Sequence, residues 1–345
     1  MFRIIRRAFF LIYLFKKTNF KGISNDDNDI IVWAPIFSWK YFVRDRILID
    51  FAHINFLSRN KIKFKIVLRK NIGKYHNKKI FIAYDFEENL FSFKDYTKQL
   101  YFIICQLEKQ NNLVSPCSNE YLYWENKKYM HEMFDKMNVS QPETRIVNSF
   151  SELDINKLQF PFLVKEVHSC QSNGIFKIEN VNHLLQLKHK LENDCFLIQE
   201  LLNIRRDLRV TLVGNEIVHF YWRINNSSEW KPTATGNGSS VDFINFPTQW
   251  KEFIIAEFLK LNLVTGAFDV AWQNDDLSTK PLILEVSPTY QLNPITFDLK
   301  HLNKYGKYKK YSIIGTNNYL DAYIDQTFKV VDKIMKIRLN YFNEF

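Results

Sequence analysis

Glycine is scarce in this chain, with nine residues in 345. Loops that cradle an anion with clustered glycine amides are therefore excluded as its main device, and any phosphate-bearing ligand must be held by side chains. Cysteine is scarcer still. Cys105, Cys117, Cys170 and Cys195 form no CxxC pair and have no histidine at metal-ligand spacing. That pattern excludes a zinc centre and a disulfide framework and leaves reduced thiols, as in a cytosolic protein. No apolar run reaches the ~20 residues that span a bilayer. Internal repeats and long low-complexity linkers are missing too, so the chain reads as two or three packed subdomains.

Acidic residues are few at one end. Residues 1–80 carry 18 Lys and Arg against 5 Asp and Glu, a net of +13, while the remainder nets −3. The excess points to an anionic partner (a membrane surface, an acidic glycan or nucleic acid), or to nothing more than a solvated basic face. No nucleic-acid motif supports the third of these. Within Met1–Lys17, Arg3, Arg6 and Arg7 precede an apolar stretch that Lys16 and Lys17 close. The stretch is too short to span and lacks a small-residue cleavage site. A helix lying on an anionic membrane surface and a first helix packed on the domain are both compatible with it.

What is present is alternation. Apolar strands at Ile30–Pro35, Phe64–Leu68 and Lys79–Tyr84 are separated by helical periodicity over 44–59, with a further helix over 96–109. This β–α–β order predicts a small open parallel sheet. A helix is predicted over 119–137. From Phe160 short strands and hairpins take over: 162–165, 174–178, 196–199, 208–213 turning at Gly214-Asn215 into 217–221, then 265–272 and 281–286. Helices are predicted over 181–191, 250–261 and 317–339. The class is α/β followed by α+β.

Several side chains stand where chemistry could use them. Lys165 ends the strand Phe160–Lys165 and precedes the loop Ser169-Cys170-Gln171-Ser172-Asn173-Gly174, where a cation could reach phosphate. A lysine snorkelling off a strand end would look the same. Strand alternation puts Asp207 and Arg209 on one side, and Arg223 follows on the next strand. Two guanidiniums on one face suit a carboxylate or phosphate, although cross-strand ion pairing explains them equally. Asp269 and Glu285 lie on neighbouring strands with no sequence-local cation. A shared Mg²⁺ or a buried salt bridge would account for both. Taken together, these residues meet the demands of carboxylate activation by ATP: cations for the triphosphate, carboxylates for the metal, and positive charge for a forming acyl-phosphate.

Residues from about 119 to 295 resemble the ATP-grasp fold, closest to RimK-like carboxylate–amine ligases. The resemblance is carried by Asn126-Lys127 with Pro142 downstream, FPFLVKEVHSCQSNGIFKI, FLIQELLNIRRDLRVTLVGNEIVHFYWRI, SEWKPTATGNGSS and LVTGAFDVAWQNDDLSTKPLILEVSPTYQLNP. No single stretch is specific; their order and spacing are. The resemblance implies an N-terminal open-sheet domain (1–118) and two α+β subdomains (119–200 and 201–345) that enclose ATP. It implies that Lys127 or its neighbour Lys128, with Lys165, Ser172 and Gly174, meets the phosphates. Gln199, Glu200, Leu201 and Leu202 would form the hinge on adenine, and Asp207 would sit near the nucleotide. Arg209, Arg223 and Lys231 would serve the acyl-phosphate or the acid, and Asp269 and Glu285 would hold Mg²⁺. Ser287 stands where the family pattern has a metal-binding Asn, a place Asn293 could fill instead. The phosphate loop holds one Gly where relatives have several, and Asp-Leu-Ser-Thr-Lys-Pro lengthens the metal hairpin.

The expected function is an ATP-dependent ligase joining a carboxylate to an amine or similar nucleophile. The basic N-terminal end favours an amino acid or amine added to a glycan precursor, in the cytoplasm or at the inner face of the membrane. A RimK-like ligase acting on a peptide or protein is the alternative, and a non-catalytic nucleotide or anionic-polymer binder a third reading. Substrate identity and oligomeric state are not written in any motif.

Overall fold

The computed structural model describes residues 2–34, 47–68, 71–82, 96–124, 126–169, 174–192, 194–234, 238–288 and 317–343. They fall into two compact units, 2–121 with the C-terminal helix and 122–288.

The first unit opens with α1 (Phe2–Lys17), then β1 (Ile30–Ala34), α2 (Ile47–Arg59), β2 (Lys65–Leu68), β3 (Lys79–Ile82), α3 (Tyr96–Lys109), β4 (Leu113–Ser115) and α4 (Ser118–Tyr121). The strands make a parallel sheet in the order β2-β1-β3-β4. Ile-Ile-Val-Trp-Ala of β1 is buried throughout, as a central parallel strand covered on both faces must be. The C-terminal helix (Asn317–Asn343) packs on α2, and Ile324, Phe328, Val331 and Met335 enter the same core as Phe51, Ile54 and Leu57. Sequence order had attached that helix to residues 201–345; its apolar stripe places it in the first unit instead. A buried pair fastens it to α4, with Arg338 Nη1 and Nη2 donating to Glu120 Oε2 and Oε1 at 2.8 and 3.0 Å. Near this pair, burial and the Glu120 charge push the Cys117 thiol up to about 11.

Helix α1 is two-sided. Phe10 and Leu14 are buried in the core, while Ile12 and Phe15 are half exposed beside exposed Lys16 and Lys17. No helix among the described residues is long and apolar enough to cross a membrane.

The helix expected over 119–137 is broken. Helix α4 stops at Tyr121, and α5 (Lys127–Lys136) starts afresh where the Asn126 side chain accepts from the Tyr129 amide at 3.2 Å. An Asn N-cap is the physical reason: it satisfies a first-turn amide that a continuous helix would not expose.

The second unit continues with β5 (Thr144–Val147), β6 (Phe162–Glu166), β7 (Ile175–Ile178), α6 (Val181–Gln186), α7 (Lys188–Leu191) and β8 (Phe196–Glu200). These strands form an antiparallel sheet in the order β5-β8-β6-β7. The single helix expected over 181–191 is these two short ones. A second antiparallel sheet, β11-β10-β9-β12-β13, is built from β9 (Arg206–Val213), β10 (Glu216–Ile224), β11 (Ser240–Asp242), β12 (Thr265–Ala271) and β13 (Leu282–Ser287), with α8 (Lys251–Leu259) against it.

Candidate functional site

Period-two alternation divides the five-stranded sheet into faces of opposite character. Leu208, Val210 and Leu212 on β9, Trp222 on β10, Phe268 and Val270 on β12, and Ile283 and Val286 on β13 point one way. They close on Ile254 and Phe258 of α8 and on Met130 and Phe134 of α5. The intervening residues point the other way. There the register sets Asp207 opposite Arg223, Arg209 opposite Tyr221 and Asp269, and Asp269 opposite Glu285. A charged ladder thus crosses four strands.

The ladder is connected. Asp269 accepts from Arg209 Nη1 at 2.7 Å through Oδ1 and from Arg223 Nη2 at 2.8 Å through Oδ2. Arg223 also grips Asp207 with Nε on Oδ1 at 2.8 Å and Nη2 on Oδ2. Burial would raise the Asp269 carboxyl, but the two guanidiniums beside it hold it below the usual range. The arginines do converge on one face, and what they converge on is Asp269, a cation partner that local sequence did not show.

The other sheet supplies Lys165. Phe162, Val164, Phe196 and Ile178 share a core with α6 and α7, so Lys165 on β6 is turned to the opposite face, where Leu197 and Ile175 flank it in register. The residue is 6% exposed, and its ammonium makes no hydrogen bond among the described residues. Burial lowers its pKa to about 8, opposed by Glu285 and Asp269 and reinforced by Lys127. The two sheets therefore bring Lys165 into electrostatic reach of both carboxylates.

Lys127, rather than Lys128, is turned inward. Its ammonium donates to Ser169 O at 2.5 Å and Oγ at 3.2 Å, whereas half-exposed Lys128 pairs with Glu132 at 3.8 Å. Gly174 adopts φ +83°, and a Cβ there would stand 2.5 Å from Glu166 Oε2 and 2.9 Å from Ser169 Cβ, so the single glycine of this loop has no substitute. Ser172 lies outside the described residues.

In the expected hinge, the Gln199 side chain is committed within its sheet, with Nε2 donating to Thr144 Oγ1 at 2.8 Å, and exposed Glu200 accepts from the Glu143 amide at 3.0 Å. Half-buried Leu201 and buried Leu202 follow as β8 ends. Lys231 is exposed, with no ion pair among the described residues.

Asp269 and Glu285 side by side fit a divalent cation. Glu285 makes no ion pair among the described residues, and Mg²⁺ is commonly held by one or two carboxylates with phosphate oxygens completing its shell. No group of three or more His, Cys, Asp or Glu gathers among the described residues. Further protein ligands would have to come from Ser287, on the same face of β13 as Glu285, or from Asn293, which lies outside the described residues.

Four residues of the site carried no sequence signal. Tyr221 is buried beside Arg209 and ringed by His219 and Phe243. Thr233 lies near Asp207, Ser169 accepts from the Lys127 ammonium, and His131 lies near both lysines. Thr233 and Ser169 meet Asp207 and Lys127 across 26 and 42 positions, beyond any local pattern.

The profile of the family described as RimK-like ATP-grasp domain matches residues 125–302, just over half of the chain. Among solved structures, the D-alanine–D-alanine ligase of Bacillus anthracis is similar at 14% identity with a TM-score of 0.57, over 91% of this chain and 98% of that one. The same enzyme complexed with ATP gives 14% and 0.55, over 90% and 99%. A RimK domain ATP-grasp protein of Sphaerobacter thermophilus is similar at 11% and 0.51, over 90% and 97%. At such identities the likeness is one of fold. A search of curated protein sequences returned no match.

Proposed function

The chain belongs to the RimK-like ATP-grasp family, and from that premise we propose that it is an ATP-dependent ligase that activates a carboxylate as an acyl-phosphate and joins it to an amine. The observation that carries this reading is the charged ladder Asp207–Arg223–Asp269–Arg209 meeting Lys165 and Glu285 between two sheets. A structural ion network would not need a lysine set in the interior with no ion pair among the described residues.

Each group has a task. Lys165 and Lys127 neutralise the triphosphate, as fixed cations in a poorly solvated site do. Asp269 and Glu285, with Ser287 or Asn293, would hold Mg²⁺, whose chemistry is to draw charge from the phosphate oxygens. Arg209 and Arg223, held rigid by Asp269 and Asp207, present their remaining N–H groups to the acid and to the phosphoryl group moving onto it. Transfer of the γ-phosphoryl makes the acyl-phosphate and ADP; attack by the amine expels phosphate and forms the carbon–nitrogen bond. Leu201 and Leu202 offer backbone groups to adenine.

The acid and amine are proposed from charge alone. The basic N-terminal end suits an anionic glycan precursor that receives an amino acid or amine, and the exposed Ile12, Phe15, Lys16 and Lys17 face of α1 suits a place at the cytoplasmic surface of an anionic membrane. A peptide carrying the reacting carboxylate is the other reading. The test is release of phosphate from ATP across a grid of acids and amines. Turnover that requires one member of each set supports a ligase, whereas release indifferent to both, or no binding of ATP, defeats it.

A further inference from the structure

A carboxylate can only accept a hydrogen bond, and Asp135 Oδ1 lies 2.5 Å from Gln141 Nε2. The Gln141 amide is therefore oriented, and its Oε1 faces His131 Nδ1 at 2.6 Å. A carbonyl oxygen can only accept, so Nδ1 carries the proton of this imidazole. The ring is neutral: burial lowers its pKa to about 3, with Lys165 and then Lys127 adding to the fall and Gln141 opposing it. Nε2 is consequently a lone pair, buried and without a hydrogen-bond partner among the described residues.

A buried acceptor left unsatisfied is unfavourable. Two donors are at hand. Lys127 lies one helical turn earlier on the same buried face of α5, but its ammonium already donates twice to Ser169. Lys165 donates to nothing among the described residues, and of the two it acts more strongly on the ring. A buried acceptor without a partner and a lysine that donates to nothing among the described residues thus lie in one region.

We propose that His131 is a positioning residue whose Nε2 accepts a hydrogen bond from the Lys165 ammonium, reached by rotation of the flexible lysine stem. The chain Asp135–Gln141–His131 sets the tautomer that makes this possible and aims the cation. Among the described residues, the charged and titratable groups that act on Lys165 are Glu285 from β13, Asp269 from β12 and Lys127 from α5, with His131 on the same helix. Only the target of that aim, the phosphates, rests on the ligase reading.

The test is the titration of Lys165 in the nucleotide-free full chain by NMR of ¹³Cε-labelled lysine, the signal being assigned by its loss in Lys165→Arg. His131→Phe keeps a ring and removes the acceptor, so the Lys165 titration should fall by about one pH unit. ATP affinity should weaken several-fold while kcat at saturating ATP stays near wild type. His131→Gln, whose amide oxygen can stand where Nε2 stood, should restore both. Should His131→Phe fail to fold, Gln141→Leu releases the Nδ1 proton to Nε2 and should produce the same fall. An unmoved titration in either folded variant, or a fall in His131→Gln equal to that in His131→Phe, overturns the proposal. Because the titration reads the free chain, failure of the wild type to bind ATP would defeat the ligase reading alone.

Discussion

Replacing Asp269 with Asn and Glu285 with Gln should separate two carboxylates that sequence places side by side. Both changes remove one negative charge and almost no volume, and both strike the proposed metal site. Their surroundings differ. Asp269 is 7% exposed and holds two guanidiniums whose side chains are themselves only 14% and 12% exposed. Arg223 keeps Asp207 when Asp269 is neutralised, but Arg209 loses its only ion pair among the described residues. Stranding a buried charge costs ~3–5 kcal/mol, and the Asn carbonyl still accepts from one arginine, so about 2–4 kcal/mol is expected for Asp269→Asn. For a unit of this size that lowers Tm by about 5–15 °C. Glu285 is half-buried and makes no ion pair among the described residues, so Glu285→Gln should stay within about 0.5 kcal/mol of wild type. Turnover should collapse in both. The measurement is thermal unfolding alongside phosphate release. Adding Arg209→Met to Asp269→Asn removes the stranded cation and should recover part of the loss, a coupling readable as a double-mutant cycle. Equal melting of the two single variants, or further loss in the double, refutes the claim that Asp269 is structural and functional at once.

Lys165→Ala should weaken ATP binding by ~1–3 kcal/mol in calorimetry, the loss typical of a charge-assisted contact. Because burial holds the Lys165 pKa near 8 instead of 10.5, wild-type ATP affinity should decline above pH 8, and Lys165→Arg should abolish that decline. Stability should move the opposite way, rising by up to roughly 3 kcal/mol between pH 8 and 10.5, where the unfolded chain binds the extra proton. Glu120→Gln strands half of a buried bidentate pair and should destabilise the first unit by ~3 kcal/mol, seen in denaturant titration; a change under 1 kcal/mol would show the pair to be solvated in practice. Removing residues 1–24 takes Phe10 and Leu14 from the core and should cost about 3–6 kcal/mol. Ile12→Ser with Lys16→Glu leaves the core intact and should abolish flotation with anionic vesicles; equal flotation of variant and wild type removes the membrane proposal.

The faces of the sheets were legible because alternation is a local property: Asp207, Leu208, Arg209 and Val210 announce a strand with one charged and one apolar side. So were the parallel strands of the first unit, whose apolar runs are bounded by polar breaks. Three-residue strands β4 and β11 are too short to show a period, and the break before α5 hung on one Asn whose capping role needs the backbone turn it creates. The site divides along the same line. Its residue types could be picked out, since charge at the edge of an apolar strand demands an explanation. Its connections could not, because Arg209 reaches Asp269 across 60 positions and Lys127 reaches Ser169 across 42. This distance matters to function. An arginine paired within its own hairpin would be fixed by local folding. Arg223 is fixed in part that way by Asp207, but Arg209 has no such partner, and both share a carboxylate from a third strand, so the geometry of the pair is complete only when β9, β10 and β12 assemble. The site's precision is then coupled to completion of the sheet, and a variant that loosens β12 anywhere along Thr265–Ala271 should disturb the arginines before it unfolds the chain.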